Sequence, residues 1–391
     1  MTTRLRNKAE RIVVVGGGVS GLSIAMRLCE AGLRVTLLES RGLGQGPSTK
    51  NQGWLYSGAW FAPRQPSLAR ACYESLEQTI RLCPDALEPT TSPMIYLMSS
   101  SATSALKWTN AWDAAKIPYQ ALSVKEATKE TGIRQTLIRR AYRLPDRAIK
   151  TDVLLEFLTV KAEHLGVELR TETVVTGLLK DGCKVRGVVT SKGEEIPGCL
   201  VILAANVGGV ELWPTPSKPG EQTEFTRVGL KTHCLTIQPG LCRTPFCIVD
   251  LEGFNHLPHE GRSVFGSSRW LLVPDSRDSS VVPDEIDRLR SLLVTCYPQF
   301  EAANHEIVEW AGVTVQAMHF DQVEPGLAPM PTVIDHECEP PRLSNFLSVF
   351  PGRATLWPQL AEMTRITVLE KIRLKGSEAK QSSRTLADRV G

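Results

Sequence analysis

Residues 11–39 constrain the fold more than any other stretch. An apolar strand, Ile12 to Val15, runs directly into Gly16-x-Gly18-x-x-Gly21, a helix follows, and a second strand ends on Glu39. This is a complete dinucleotide-binding βαβ unit. Gly16 permits the tight turn out of the strand. Gly18 has no Cβ, so a pyrophosphate can approach the backbone. Gly21 lets the helix pack closely on the sheet. The helix N-terminus, at Val19 and Ser20, offers unpaired N–H groups and the positive end of the helix dipole to phosphates. Glu39 accepts hydrogen bonds from a ribose hydroxyl, and an acid there favours a free 2′-hydroxyl over a 2′-phosphate. The unit alone does not separate FAD from NAD.

At 391 residues the chain has room for two or three domains. Its net charge of +3 gives no case for nucleic-acid binding. The first ten residues are polar and basic with no apolar core of a secretory signal. The apolar stretch around 200–210 is too short and interrupted to span a bilayer. The ten cysteines form no Cys-x-x-Cys pair and no metal-ligand spacing with histidine, so no metal is expected. They read as reduced, mostly buried thiols, which points to the cytoplasm.

The spacing of apolar residues divides the chain further. Residues 40–66 form a long loop rich in Gly, Ser, Pro and aromatics, of the kind that carries function. A helix is expected over 67–82. Residues 90–145 read as a different module, with a strand at 94–98 and helices at 104–116 and 124–131. Thr151-Asp152 open a new helix with good capping residues. Strands at 167–171, 173–180 and 185–190 and a buried strand at 200–205 return the chain to the nucleotide-binding part. Residues 223–320 alternate as an antiparallel sheet interrupted by a helix at 284–297. A strand at 346–350, a turn at 351–354 and a helix at 358–374 close the fold, with a polar tail from Lys375. The expected architecture is α/β: a discontinuous nucleotide-binding domain (1–88, 146–215 and 335–391) and a mainly antiparallel substrate domain (89–145 and 216–334).

In this order of elements and in its motifs the chain resembles the D-amino-acid-oxidase-like superfamily of FAD-dependent oxidoreductases, which includes glycine and sarcosine oxidases, glycerol-3-phosphate dehydrogenases and L-2-hydroxyglutarate oxidases. Ser48-x-x-Asn51-Gln52-Gly53 resembles the family loop that lies along the flavin, where glycine allows close approach to the ring. The block 151–208 resembles the second FAD segment, with Val175 presenting backbone to the adenine side and Ala204-Ala205-Asn206 standing where the family often has a final glycine. Phe350-Pro-Gly352-Arg353-Ala354 resembles the glycine turn beside the flavin pyrimidine ring. The absence of cysteine over 40–71 sets the chain apart from flavin disulfide reductases.

The resemblance implies an FAD-dependent oxidase or dehydrogenase. It would move a hydride from a small amine, amino acid or 2-hydroxy acid to flavin N5, and reoxidise with dioxygen or another acceptor. Arg353 either stabilises the charge of the reduced flavin or clamps a substrate carboxylate. Related hydroxy-acid enzymes carry a histidine where this chain has Tyr56, and many amino-acid oxidases carry a carboxylate-binding arginine where it has Thr314 or Val315. The histidines that remain as bases are His256, His319 and His233, in that order, while His259, His305 and His336 read as surface. Trp54, Tyr56 and Trp60 are candidates for an aromatic pocket wall. The substituted anchors keep a second reading open, a flavin-binding partner subunit or biosynthetic scaffold without turnover of its own. An NAD-dependent dehydrogenase would leave the Gly352 turn without a purpose.

Overall fold

The strand Arg11–Val15 lies inside the first sheet because its side chains are apolar on both faces, and Ile12, Val13 and Val14 are fully buried. The computed structural model describes residues 11–89, 92–214, 223–319 and 328–387, with side chains as far as 373. In it this strand pairs in parallel with Arg34–Leu38 on one side and Leu200–Leu203 on the other. The six-stranded sheet runs Thr332–Asp335, Phe346–Phe350, Leu200–Leu203, Arg11–Val15, Arg34–Leu38, Glu168–Arg170. Only the edge strand Thr332–Asp335 is antiparallel to its neighbour. The helices Val19–Glu30, Thr151–His164 and Trp357–Ala387 pack on one another's apolar stripes over this sheet, around Leu22, Leu28, Leu158 and Leu360.

The second large sheet has nine strands. Its spine is a pair of long strands, Phe225–Gln238 and Glu306–His319, in antiparallel register from end to end. Leu271–Val273 also pairs with the first of these, Arg262–Gly266, Phe254–His259 and Phe246–Ile248 continue the sheet, and Ile95–Met98, Arg140–Arg143 and Gln120–Leu122 complete it. The fold is therefore a Rossmann-like α/β unit with an additional, mainly antiparallel sheet. A three-stranded sheet formed by Val175–Asp181, Lys184–Thr190 and Glu195–Pro197 flanks the first unit.

The structure departs from the sequence expectations in several places. The strand Phe254–His259 was not foreseen, because Pro258 disguises it. The expected boundary between 334 and 335 falls inside the strand Thr332–Asp335, which pairs with the first sheet. The helix starting at Thr151 has Lys150 at its N-cap, and no side chain caps it. The last helix extends to Ala387, well into the polar tail, since Lys, Glu, Ala, Gln and Arg are good helix formers whatever their polarity. All ten cysteines are free thiols, and five of them, Cys72, Cys83, Cys234, Cys247 and Cys296, are buried. Residues 1–10, read as lacking a signal, lie outside the described residues. Among the described residues no helix is long and apolar enough to cross a membrane.

Candidate active site

A cleft of about 450 Å³ begins where the first strand meets the first helix. The helix Val19–Glu30 has Gly18 at its N-cap and no side-chain cap there, so its first turn faces the cleft, which Gly16, Gly18, Val19 and Ser20 line. A Cβ on Gly18 would sit 2.8 Å from Ser48 Oγ, which accepts from the Val19 amide at 3.0 Å. Gly21 does not line the cleft: its Cβ would fall 1.8 Å from the carbonyl oxygen of Gly16, so it serves the packing of helix on strand. Glu39 does line it. Its carboxylate accepts from the amides of Gly17 at 2.7 Å and Arg41 at 3.0 Å.

The loop after Glu39 adds Ser48, Asn51 and Gln52 to the wall. Asn51 ties this loop to itself, donating from Nδ2 to the Ser48 carbonyl at 2.7 Å and accepting from the Gly53 amide at 2.8 Å. Gly53 turns with φ +66°, and its Cβ would lie 2.5 Å from the Ile149 carbonyl oxygen and 2.6 Å from His259 Cε1. The expectation that Gly53 clears space for a flavin is therefore corrected. It does not line the cleft, and its missing side chain makes room for a backbone and an imidazole instead.

Distant segments complete the cleft. Val175 and Ala205 line it, as do Gly352, Arg353 and Ala354. Asn206, where the related motif has glycine, adopts φ +45°. Asparagine tolerates that left-handed geometry better than other residues with a Cβ. Its side chain then fastens the turn to the second sheet, donating to the Val315 carbonyl at 2.8 Å and accepting from the Val315 amide at 2.9 Å. Gln316 reaches the C-terminal turn from the same strand, and its Oε1 accepts from the Gly352 amide at 3.1 Å.

The far end of the cleft is aromatic. Trp54, Tyr56, Trp60, Phe61 and Trp270 line it. Trp54 and Tyr56 stack with centroids 4.2 Å apart. Behind them lies Asp146, fully buried, accepting from Trp54 Nε1 at 2.9 Å, from the Ser57 amide at 3.1 Å and from the Ser57 hydroxyl. Burial holds its carboxyl above the ordinary range, against the pull of those hydrogen bonds. Burial also raises the Tyr56 phenol, so Tyr56 is a donor and not a base. Arg353 is pulled below its ordinary value by burial, yet a guanidinium starts so high that it stays charged.

The histidines part company with the sequence reading. His256 is fully buried in the apolar core of the second sheet, stacked on Phe246, and does not line the cleft. Its Nδ1 lies 3.2 Å from the Thr244 carbonyl oxygen and so carries the proton, which leaves Nε2 to accept from Ser263 Oγ at 2.8 Å. Burial pushes it down to about 3, so the ring is neutral. His319 ends the strand Glu306–His319 against the Phe225 ring, away from the cleft. His233 spends Nε2 accepting from the Val282 amide. His256 and His319 are therefore withdrawn as catalytic candidates. His259 and His336, read as surface, are both mostly enclosed.

The sequence reading missed Asn255 and Trp270. Asn255 is 1% exposed; its Nδ2 donates to the Gly253 carbonyl at 2.8 Å, which fixes the amide and leaves Oδ1 without a partner. Gln52 Nε2 and Arg353 Nε are likewise buried without partners, and all three residues line the same cleft. Such atoms are expected where a polar group is to be bound. A glycine cradle at a helix N-terminus, an acid at the ribose position and unpartnered polar groups beyond them fit FAD.

Comparison with known proteins agrees. The family model described as FAD dependent oxidoreductase matches residues 11–336. Glycine oxidase of Pseudomonas aeruginosa is 33% identical over 218 residues, 52% of this chain and 57% of that protein. One subunit of the anaerobic glycerol-3-phosphate dehydrogenase of Escherichia coli is 27% identical over 209 residues, 52% of this chain and 38% of that protein. The matched region thus spans little more than half, or less, of these curated relatives. Glycine oxidase from Geobacillus kaustophilus has the same fold, with a TM-score of 0.70 at 20% identity, covering 92% of this chain and 94% of that one. The chain belongs to the FAD-dependent oxidoreductase family, and its cofactor is FAD.

Proposed function

We propose that this protein oxidises a CH–NH or CH–OH group of a small amine, amino acid or 2-hydroxy acid and passes the electrons to dioxygen or another acceptor. The observation that carries the reading is the continuity of the cleft. One lining runs from Gly16, Gly18 and Ser20 to Leu230, Thr232, Asn255 and Thr314 of the second sheet and to Trp270 in a connection between its strands. A dinucleotide laid along the first part directs its far end at a chamber built by the second.

FAD, when bound, supplies the two-electron acceptor. The chain's own residues position the substrate. Asn255 Oδ1 accepts an N–H or O–H, and the Tyr56 phenol donates. Trp54, Trp60 and Phe61 exclude water from the reacting carbon. Among the described residues that line the cleft none is a histidine. This supports CH–NH oxidation, in which the substrate amine needs only to bind in its neutral form.

The test is anaerobic mixing of the oxidised flavoprotein with a panel of amino acids, simple amines and 2-hydroxy acids while the visible spectrum is followed. Bleaching by one class with turnover in air supports the reading. A flavin that no member reduces would overturn it in favour of a partner protein that binds flavin without turnover.

A further inference from the structure

Asn255 and Gly266 pair across neighbouring antiparallel strands, so their side-chain directions share one face of the second sheet. Gly266 has no side chain to put there. A Cβ on it would lie 1.8 Å from Gln52 Nε2 and 2.9 Å from Gln52 Cδ. The Gln52 carboxamide therefore occupies the place of the missing side chain, beside Asn255. The backbone of Gln52 is fixed as well, since its carbonyl accepts from His259 Nε2 at 2.8 Å.

Two carboxamides thus stand in one row, both lining the cleft, and each leaves one atom unused. Asn255, 1% exposed, spends Nδ2 on the Gly253 carbonyl at 2.8 Å and keeps Oδ1 free. Gln52 Nε2 is buried and free. The free acceptor and the free donor do not bond each other. Cys234, which pairs with Gly266 on its other side, meets the Gln52 amide, but burial pushes this thiol up to about 12, and a neutral sulfur is a weak acceptor.

Leaving a buried donor and a buried acceptor unpaired is costly, and a ligand that pairs both removes that cost. Neither amide is charged. An ammonium has no acceptor to offer Nε2, and a carboxylate has no donor to offer Oδ1. What the two side chains leave open is one oxygen and one N–H, which together make up a split carboxamide. Its complement is another amide edge, with an N–H and a C=O side by side.

We propose that Asn255 and Gln52 recognise an uncharged amide edge, a carboxamide or lactam, on the substrate, and that Gly266 is the positioning residue that seats the Gln52 donor. The proposal rests on the oxidoreductase reading above and names a group the substrate carries besides the carbon that is oxidised. The flavin pyrimidine ring bears the same kind of edge. The segment that resembles its site is the turn at Gly352, however, while Asn255 stands on the second sheet.

The experiment uses the FAD-loaded, oxidised protein. It is titrated with 2-pyrrolidinone, with N-methyl-2-pyrrolidinone, which lacks the N–H, and with cyclopentanol, which offers a single oxygen, while the flavin bands and the thermal midpoint are recorded. 2-Pyrrolidinone is expected to perturb the bands saturably and to bind roughly tenfold more tightly than either of the others. Gln52→Leu should lose roughly tenfold in 2-pyrrolidinone affinity. Gly266 lies in ordinary strand backbone, so Gly266→Ala should keep the fold, displace the flexible end of Gln52 and abolish the preference between the two lactams. A structural role alone would lower the thermal midpoint and leave that preference untouched. If Gly266→Ala does not retain FAD, Gln52→Leu decides alone. Equal wild-type affinity for the two lactams, or for cyclopentanol, overturns the proposal. So does a wild-type protein that binds no 2-pyrrolidinone while Gln52→Leu loses affinity for FAD, which would assign the pair to the flavin. Rapid flavin reduction by simple amines or acids with no binding of 2-pyrrolidinone sinks this proposal and leaves the oxidoreductase reading intact. Selective 2-pyrrolidinone binding without reduction by any acid or amine does the reverse.

Discussion

His259 Nε2 donates to the carbonyl oxygen of Gln52 at 2.8 Å, joining the second sheet to the cofactor loop. A carbonyl can only accept, so Nε2 carries a proton. On the other side Nδ1 lies 2.8 Å from Glu88 Oε1. That contact is favourable only with a further proton, on the imidazole or on the carboxyl. His259 also fills the space left by the missing side chain of Gly53. The turn that places Gln52 on the cleft wall is thus clamped from the opposite sheet.

Replacing that clamp should loosen the loop. His259→Ala is expected to lower stability by about 1–3 kcal/mol and to weaken FAD binding, read from urea unfolding and from fluorescence of released flavin. Unchanged flavin affinity would show that the loop holds its shape without the imidazole.

The cradle itself is sterically exacting. In Gly18→Val the added Cβ would meet Ser48 Oγ at 2.8 Å and the branched methyls would enter the pyrophosphate position. The purified variant should be colourless while its far-ultraviolet circular dichroism remains that of the wild type. A yellow variant would place the diphosphate elsewhere.

Tyr56 tests the absence of a protein base. Burial keeps its phenol protonated through the working pH range. Tyr56→Phe should therefore raise KM more than it lowers kcat, and the alkaline limb of the pH profile should persist in the variant. Loss of that limb would make Tyr56 the titrating group.

Acid should destabilise the fold in a defined window. Burial pushes His256 down to about 3 and His336 to about 4, from ordinary values of 6.5. Between these limits the unfolded chain binds protons that the folded chain refuses. Stability is therefore complete above about pH 6.5 and falls as pH drops, by about 1.4 kcal/mol per pH unit for each group. Asp146, held above its ordinary value, acts with the opposite sign. Urea midpoints measured from pH 7 to pH 4 should decline, and His336→Gln should make the decline shallower. An unaltered slope in that variant would remove His336 from the account.

The nucleotide-binding half was legible because its signals are local. Gly16, Gly18 and Glu39 act within one βαβ unit, and the turn at Gly352 announces itself by its own glycine and the helix behind it. The substrate half was not. Pairing of Phe254–His259 with Arg262–Gly266 brings Asn255 to the cleft, and Trp270 reaches Arg353 from a connection eighty-odd residues away along the chain.

The strand Phe254–His259 shows where the division lies. The sequence offers two histidines three positions apart, and the one it favours as a base, His256, lies in the core. Side chains alternate along a strand, so His256 and His259 point to opposite faces. One face is the apolar core with Phe246 and Phe265, and the other carries Asn255 and the clamp on Gln52. The sequence by itself determined the dinucleotide cradle, because neighbours in the chain build it. Only the tertiary structure decided which face of this strand meets the cofactor loop, because register between strands is set by partners far away in the chain.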